Sequence, residues 1–202
     1  MTFVSILGIA VAANADVLLN TFGTVTSPGF DVNGSYAVYY AQSVARPFVT
    51  SFGSYNLTEI DIALAFFTTD SVLNVNLCAD NAGVPGSILE TFGVINVGGD
   101  LSSGSEYVLN SVTHPLLTMG GTYYVTITPG TPGSSGGWNF TNDGHTGPNQ
   151  WSSNGGITWN SVTELDGAVT VQGALTSVPE PTSLAVLGLG AVALIRRRRI
   201  TK

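Results

Sequence analysis

Positive charge is almost missing from residues 16–178. Five of the six Lys and Arg residues, Arg196–Arg199 and Lys202, close the chain, and only Arg46 lies in that segment, beside twelve of the thirteen acids. One cation against twelve acids gives it a net charge of −11, more extreme than the −7 of the full chain. A surface of this kind repels phosphate backbones, which excludes nucleic-acid partners and argues against phosphate-handling enzymes. It suits divalent cations.

Cysteine is nearly absent too. Cys78 stands alone, so no intrachain disulfide can form and the domain must rely on its core. It sits in the strand-like run Val72–Cys78 and reads as a small sheet or core residue, with intermolecular pairing as the alternative. Two isolated histidines, His114 and His145, do not make a zinc cluster with it. A helical period is also lacking: nothing in 16–178 carries one over three turns.

What is present is alternation. Ile60, Ile62, Leu64 and Phe66 alternate with Asp61, Ala63 and Ala65; Leu73, Val75 and Leu77 with Asn74 and Asn76. Tyr123, Val125 and Ile127 alternate with Tyr124, Thr126 and Thr128, and Val169 and Val171 with Ala168, Thr170 and Gln172. Shorter candidates are Val17–Phe22, Ala37–Ala41, Val44–Phe52, Ile88–Phe92, Tyr107–Leu109, Leu116–Leu117, Trp138–Phe140 and Thr158–Trp159. The connectors, such as Asn81–Gly86 and Thr128–Gly133, supply the Gly, Pro, Asn and Asp of tight turns. About eight to ten short strands with such turns predict an all-β fold, an antiparallel β-sandwich of jelly-roll type over residues 16–176. A β-helix is the rival, and no repeat of constant period supports it.

Both ends read as address labels. Phe3–Val11 is almost wholly apolar, and Ala13-Asn14-Ala15 has the small-x-small form of a signal-peptidase site, so residues 1–15 are expected to be a signal peptide cleaved after Ala15. No Lys or Arg precedes the apolar stretch; either the signal is weak or the true start lies upstream of Met1. At the other end come Pro179, Glu180 and Pro181, then the uncharged run Leu184–Ile195, then four arginines. The prolines exclude the middle of a helix or strand. The run, with Leu184, Leu187, Leu189, Leu194 and Ile195 as its largest anchors, spans roughly 18 Å as a helix, or roughly 21 Å with Thr182 and Ser183, short of a hydrocarbon core of about 30 Å. Arg196, Arg197, Arg198 and Arg199 act as stop-transfer cations that extend its reach by snorkelling and keep this end cytoplasmic.

A proline-flanked glutamate, a short apolar helix and an arginine cluster, in that order, closely resemble the PEP-CTERM sorting signal of Gram-negative bacteria, here over residues 177–202. The resemblance implies export, transient membrane anchoring and cleavage near the Pro-Glu-Pro by an exosortase, in bacteria that make exopolysaccharide and biofilm. A second stretch, Ala45–Thr128, resembles the choice-of-anchor domains of bacterial surface proteins. Its most distinctive part is Asp80–Leu89, a polar loop with Pro85-Gly86 and an apolar return. That resemblance implies no chemistry.

Candidate catalytic motifs fail on context. Gly133–Gly137 fits G-x-S-x-G, but the prolines before it and the glycines after it make a loop and not a strand–elbow–helix. Gly188–Ala193 fits a dinucleotide fingerprint without a βαβ unit, and its glycines suit close helix packing. His145 with Asp143 would need a geometry that sequence does not supply. Asp31–Gly34, Asp80–Gly83 and Asn142–Gly144 read as turns and place oxygen ligands beside their glycines, as calcium favours, although none completes an EF-hand; Asp80 is the best single metal candidate. The sequons at Asn33, Asn56 and Asn139 carry no weight in a bacterium.

Trp138, Trp151 and Trp159 crowd into twenty-two residues with Asn and Gly. They read either as a glycan-contact face on loops or as packing at the edge of the core. These observations together predict an exported, non-enzymatic surface or matrix protein with a structural or adhesive role, whose partners are signal peptidase, exosortase, the membrane and polysaccharide. A carbohydrate-binding module or glycan hydrolase is the alternative; a hydrolase needs paired carboxylates, and Asp61, Asp80, Glu90, Glu106 and Glu164 form no motif.

Overall fold

The computed structural model describes residues 15–24, 27–95 and 103–176. Residues 1–14 of the expected signal peptide, Ala13 among them, lie outside the described residues, as does all of 177–202, with Pro179, Glu180, Pro181, the apolar run and Arg196–Arg199. Ala15 opens the first strand.

The described residues form thirteen strands and no helix. They are β1 (Ala15–Asn20), β2 (Phe30–Tyr39), β3 (Ser43–Val49), β4 (Tyr55–Phe66), β5 (Val72–Asp80), β6 (Pro85–Ile95) and β7 (Ser105–Asn110), then β8 (Leu116–Leu117), β9 (Thr122–Pro129), β10 (Ser135–Thr141), β11 (Thr146–Ser152), β12 (Asn160–Leu165) and β13 (Val169–Leu175). Two antiparallel sheets result. One runs β1-β13-β4-β10-β2, with β7 and β8 also paired to β4; the other runs β12-β11-β3-β9-β5-β6. The all-β, two-sheet expectation holds, with more strands than the sequence suggested.

One core joins the sheets. Leu57, Ile60, Ile62 and Leu64 of β4 meet Leu73, Val75 and Leu77 of β5 and Val125 and Ile127 of β9, all fully buried. Each such aliphatic side chain contributes about 1.5–3 kcal/mol of transfer free energy. The period of two slips once in β4. Gln172 pairs with Glu59 but Gly173 with Leu57, so Thr58 bulges and both Leu57 and Ile60 face inward. The β5–β6 hairpin turns through Ala82 at φ 55° and Gly83 at φ 89°. Asn81 N donates to Val84 O at 2.9 Å and Gly83 N to Asp80 Oδ1 at 3.0 Å, closing the turn.

Two local expectations need correction. Asp31–Gly34 is not a turn but the start of β2. Thr158–Trp159 is not a strand; it ends a loop, and β12 begins at Asn160. Strand β11 was not foreseen, because Gly147, Pro148, Asn149 and Gln150 are poor strand formers. Pro148 is tolerated there because β3 pairs with β11 only over Gln150–Ser152, leaving one ladder neighbour at the proline.

Candidate functional site

The outer face of the six-stranded sheet carries a cleft of about 530 Å³. It follows from the alternation of β5 and β9. Leu73, Val75 and Leu77 and their partners Val125 and Ile127 enter the core, so Asn74, Asn76, Thr126 and Thr128 face the other way. The register sets Asn74 opposite Thr128, Asn76 opposite Thr126, and Thr91 of β6 on the far side of Asn76. Asn76 knits the row together. Its Nδ2 donates to Thr126 Oγ1 at 3.2 Å and Thr128 Oγ1 at 3.5 Å, and its Oδ1 accepts from Thr91 Oγ1 at 2.8 Å. Among the described residues, the side chains lining the cleft include no Asp, Glu, Lys or Arg.

Trp159 closes one side. Its ring packs on the cluster of Ala45, Cys78 and Tyr124. The loop that delivers it is held by side chains. Ser152 Oγ accepts from Asn154 N at 3.3 Å and Gly156 N at 2.9 Å, and Asn154 Oδ1 accepts from Thr158 N at 2.9 Å. Gly155 N donates to Ala41 O at 2.7 Å and ties the loop to the β2–β3 turn. Ser43 Oγ and Trp159 Nε1, both on residues that line the cleft, are buried donors with no partner among the described residues. Burial pushes the Cys78 thiol up, against a weak 3.7 Å contact with Thr126 Oγ1, so it lines the cleft in its protonated form.

The three tryptophans do not form one face. Trp138 is 1 % exposed, lies in the main core and donates from Nε1 to Ala168 O at 3.0 Å; it is not available to a glycan. Trp151 is exposed, but it pairs opposite Val44, a core position, and so projects from the opposite side of the sheet to Trp159. Only Trp159 belongs to the cleft.

Asp80 is engaged inside its own turn. Oδ1 accepts from Gly83 N and from Tyr124 Oη, each at 3.0 Å. Burial, with Asp80 adding to it, pushes the Tyr124 hydroxyl up to about 12. Among the described residues no three His, Cys, Asp or Glu side chains gather in a metal-holding group. The G-x-S-x-G serine, Ser135, opens strand β10 with no helix behind it.

A polar network that sequence reading missed lies within the fold. Arg46 Nη2 meets Asp166 Oδ2 at 3.1 Å and Arg46 Nη1 donates to Pro148 O at 3.0 Å. Asn149 Nδ2 donates to Asp166 Oδ1 at 3.2 Å, and His145 Nδ1 lies 2.7 Å from Asp166 Oδ2. The ring partner of His145 is therefore Asp166; Asp143 Oδ1 instead accepts from Thr141 Oγ1 and from the backbone N of His145. Of the other acids, Glu59 and Asp61 share the Gln172 amide, and burial, then Asp61, pushes the Glu59 carboxyl up. The one hint in the sequence was the isolation of Arg46: a lone cation among twelve acids finds a buried partner, and the domain surface is left without Lys or Arg among the described residues.

No curated protein matches the chain. The three features of the C-terminal segment do find a counterpart: residues 177–199 match the PEP-CTERM protein-sorting motif, so the protein is a C-terminally sorted, exported protein and an implied substrate of an exosortase.

Proposed function

We propose that this is a non-enzymatic surface or matrix protein that holds neutral extracellular polysaccharide in the outer cleft, after transient membrane anchoring and release by exosortase. The observation that carries the reading is the uncharged Asn–Thr row beneath Trp159. Amides and hydroxyls held in fixed positions match sugar hydroxyls, and an indole offers a flat apolar surface for the axial C–H face of a pyranose. The strongly acidic surround favours an uncharged polymer over a polyanion. Ser43 Oγ and Trp159 Nε1 gain partners when a small movement of the indole admits a sugar oxygen; an unpaired buried donor costs about 1–3 kcal/mol.

Affinity electrophoresis of the processed protein tests this, with dextran, mannan, hydroxyethylcellulose or alginate cast in the gel. Retardation is expected in a neutral gel and not in alginate. Trp159→Ala should abolish it, Trp151→Ala should leave it, and Ser43→Ala should weaken it while leaving the melting temperature unchanged or higher. No retardation in any neutral gel, or equal retardation of the wild type and Trp159→Ala, refutes the cleft as a polysaccharide site.

A further inference from the structure

Three segments converge where the described chain ends. Thr176 N and Thr176 Oγ1 both donate to Ser54 O at 2.8 Å, and Met119 N donates to Ser54 Oγ at 3.0 Å. A Cβ on Gly53 would stand 2.5 Å from Leu175 Cδ1. This end is apolar and open to solvent: Phe52 is 91 % exposed, Met119 66 %, Leu116 54 % and Leu175 48 %. Exposed apolar residues scattered singly are ordinary, but four on adjoining segments form a patch that marks an interaction surface. The patch is also free of charge. The stretches its residues belong to, 47–58, 107–142 and 167–176, contain no Asp, Glu, Lys or Arg, in a segment of net charge −11.

Position decides what meets this patch. Seven residues separate Thr176 from Leu184, where the apolar run of the sorting segment begins. Fully extended, the eight Cα–Cα steps from Thr176 to Leu184 reach at most about 29 Å. While that run is in a bilayer, this end of the domain is held beside the lipid surface. We propose that Phe52, Met119, Leu116 and Leu175 seat the domain in the headgroup region of a phospholipid bilayer during the anchored stage. Anionic headgroups repel the acidic remainder of the domain, which leaves the uncharged end as the face that approaches. Seating there sets the height above the membrane at which Thr176 hands the chain on to the segment that carries the processing motif. The proposal rests on the reading that Leu184–Ile195 inserts.

The test uses the full-length protein in phosphatidylethanolamine–phosphatidylglycerol vesicles that contain a nitroxide lipid labelled near the headgroup. A fluorophore is placed on Phe52→Cys, on Met119→Cys, or on Thr69→Cys; the native Cys78 is buried and stays unlabelled. Thr69 follows the far end of β4, and an eleven-step strand of about 3.3 Å per residue places it roughly 36 Å from the patch. For a patch buried at interfacial depth, probes at 52 and 119 should lose about half or more of their emission, and the probe at 69 about a tenth or less. Phe52→Asp should relieve the quenching at 119 without releasing the protein from the vesicles. Equal quenching at all three sites, or bound protein with unquenched probes at 52 and 119, overturns the proposal. Quenching that appears only when an exosortase is co-reconstituted assigns the patch to a protein and overturns it too. Failure of the full-length chain to sediment with vesicles removes both the proposal and the inserted-anchor reading.

Discussion

Arg46 Nη2 lies 3.1 Å from Asp166 Oδ2, and the carboxylate is wholly buried between β3, β11 and the segment leading to β13. Two charges taken out of water offset their desolvation only through close geometry and further hydrogen bonds, which Pro148 O, Asn149 and His145 supply. Removing one partner strands the other, so Arg46→Ala or Asp166→Ala should each cost about 3–5 kcal/mol in urea unfolding. Arg46→Met with Asp166→Leu should lie closer to the wild type than either single change. A double variant as damaged as the sum of the singles would contradict this account.

Glu90 closes the opposite side of the six-stranded sheet. It accepts from Ser111 Oγ at 2.6 Å, Val112 N at 2.7 Å and Thr113 N at 3.1 Å, and so ties β6 to the turn after β7. Burial pushes its carboxyl up, and these donors outweigh burial and hold it below its ordinary value. A group lowered in the folded state adds stability above its unfolded pKa, about 4.3, and loses it as pH falls through the folded value. Glu90→Gln should therefore cost roughly 1–3 kcal/mol at neutral pH. The gap to the wild type should begin to close as pH falls below about 4.3 and go on closing until the wild-type carboxyl has protonated. Thermal melts across that range check it; a constant gap would show that the charge plays no part.

What the sequence disclosed depended on how local the signal was. The sorting segment was legible because breaker, apolar run and cations follow one another along the chain. The core strands were legible because Ile60–Phe66, Leu73–Leu77 and Tyr123–Thr128 each carry a period of two. The cleft was half legible: the same runs announced an outward row of Asn and Thr, but only the register, Asn76 against Thr126 and Thr91, turns that row into one surface. The tryptophan cluster misled. Closeness in sequence counts for little when a core strand takes Trp138, one side of β11 takes Trp151 and a loop carries Trp159 to the other side. Arg46 and Asp166 are 120 positions apart, and no local pattern reports such a pair.

Cys78 is 3 % exposed, and burial also pushes its thiol up, so limited access and a small thiolate fraction both slow its reaction. An aromatic disulfide reagent should modify no thiol in the native protein at pH 8 and one thiol per chain in urea. Rapid native labelling would mean that Trp159 leaves its seat on Ala45, Cys78 and Tyr124 more readily than the packing implies.

Gly167 and Gly93 should respond to alanine in opposite directions. A Cβ at Gly167 would stand 2.4 Å from Cε2 and 2.5 Å from Cδ2 of Trp138, a ring that is buried in the core and fixed by its bond to Ala168 O. The indole cannot retreat without disturbing that core, so Gly167→Ala should cost about 1–3 kcal/mol by overpacking. At Gly93 a Cβ meets nothing within 4 Å among the described residues, and the backbone is not left-handed. Alanine there restricts the unfolded chain without strain in the strand, and Gly93→Ala should stabilise by about 0.4–1 kcal/mol. Urea midpoints of the two variants measure both effects. A destabilised Gly93→Ala would mean that β6 needs the freedom of glycine for a reason its open surroundings do not display.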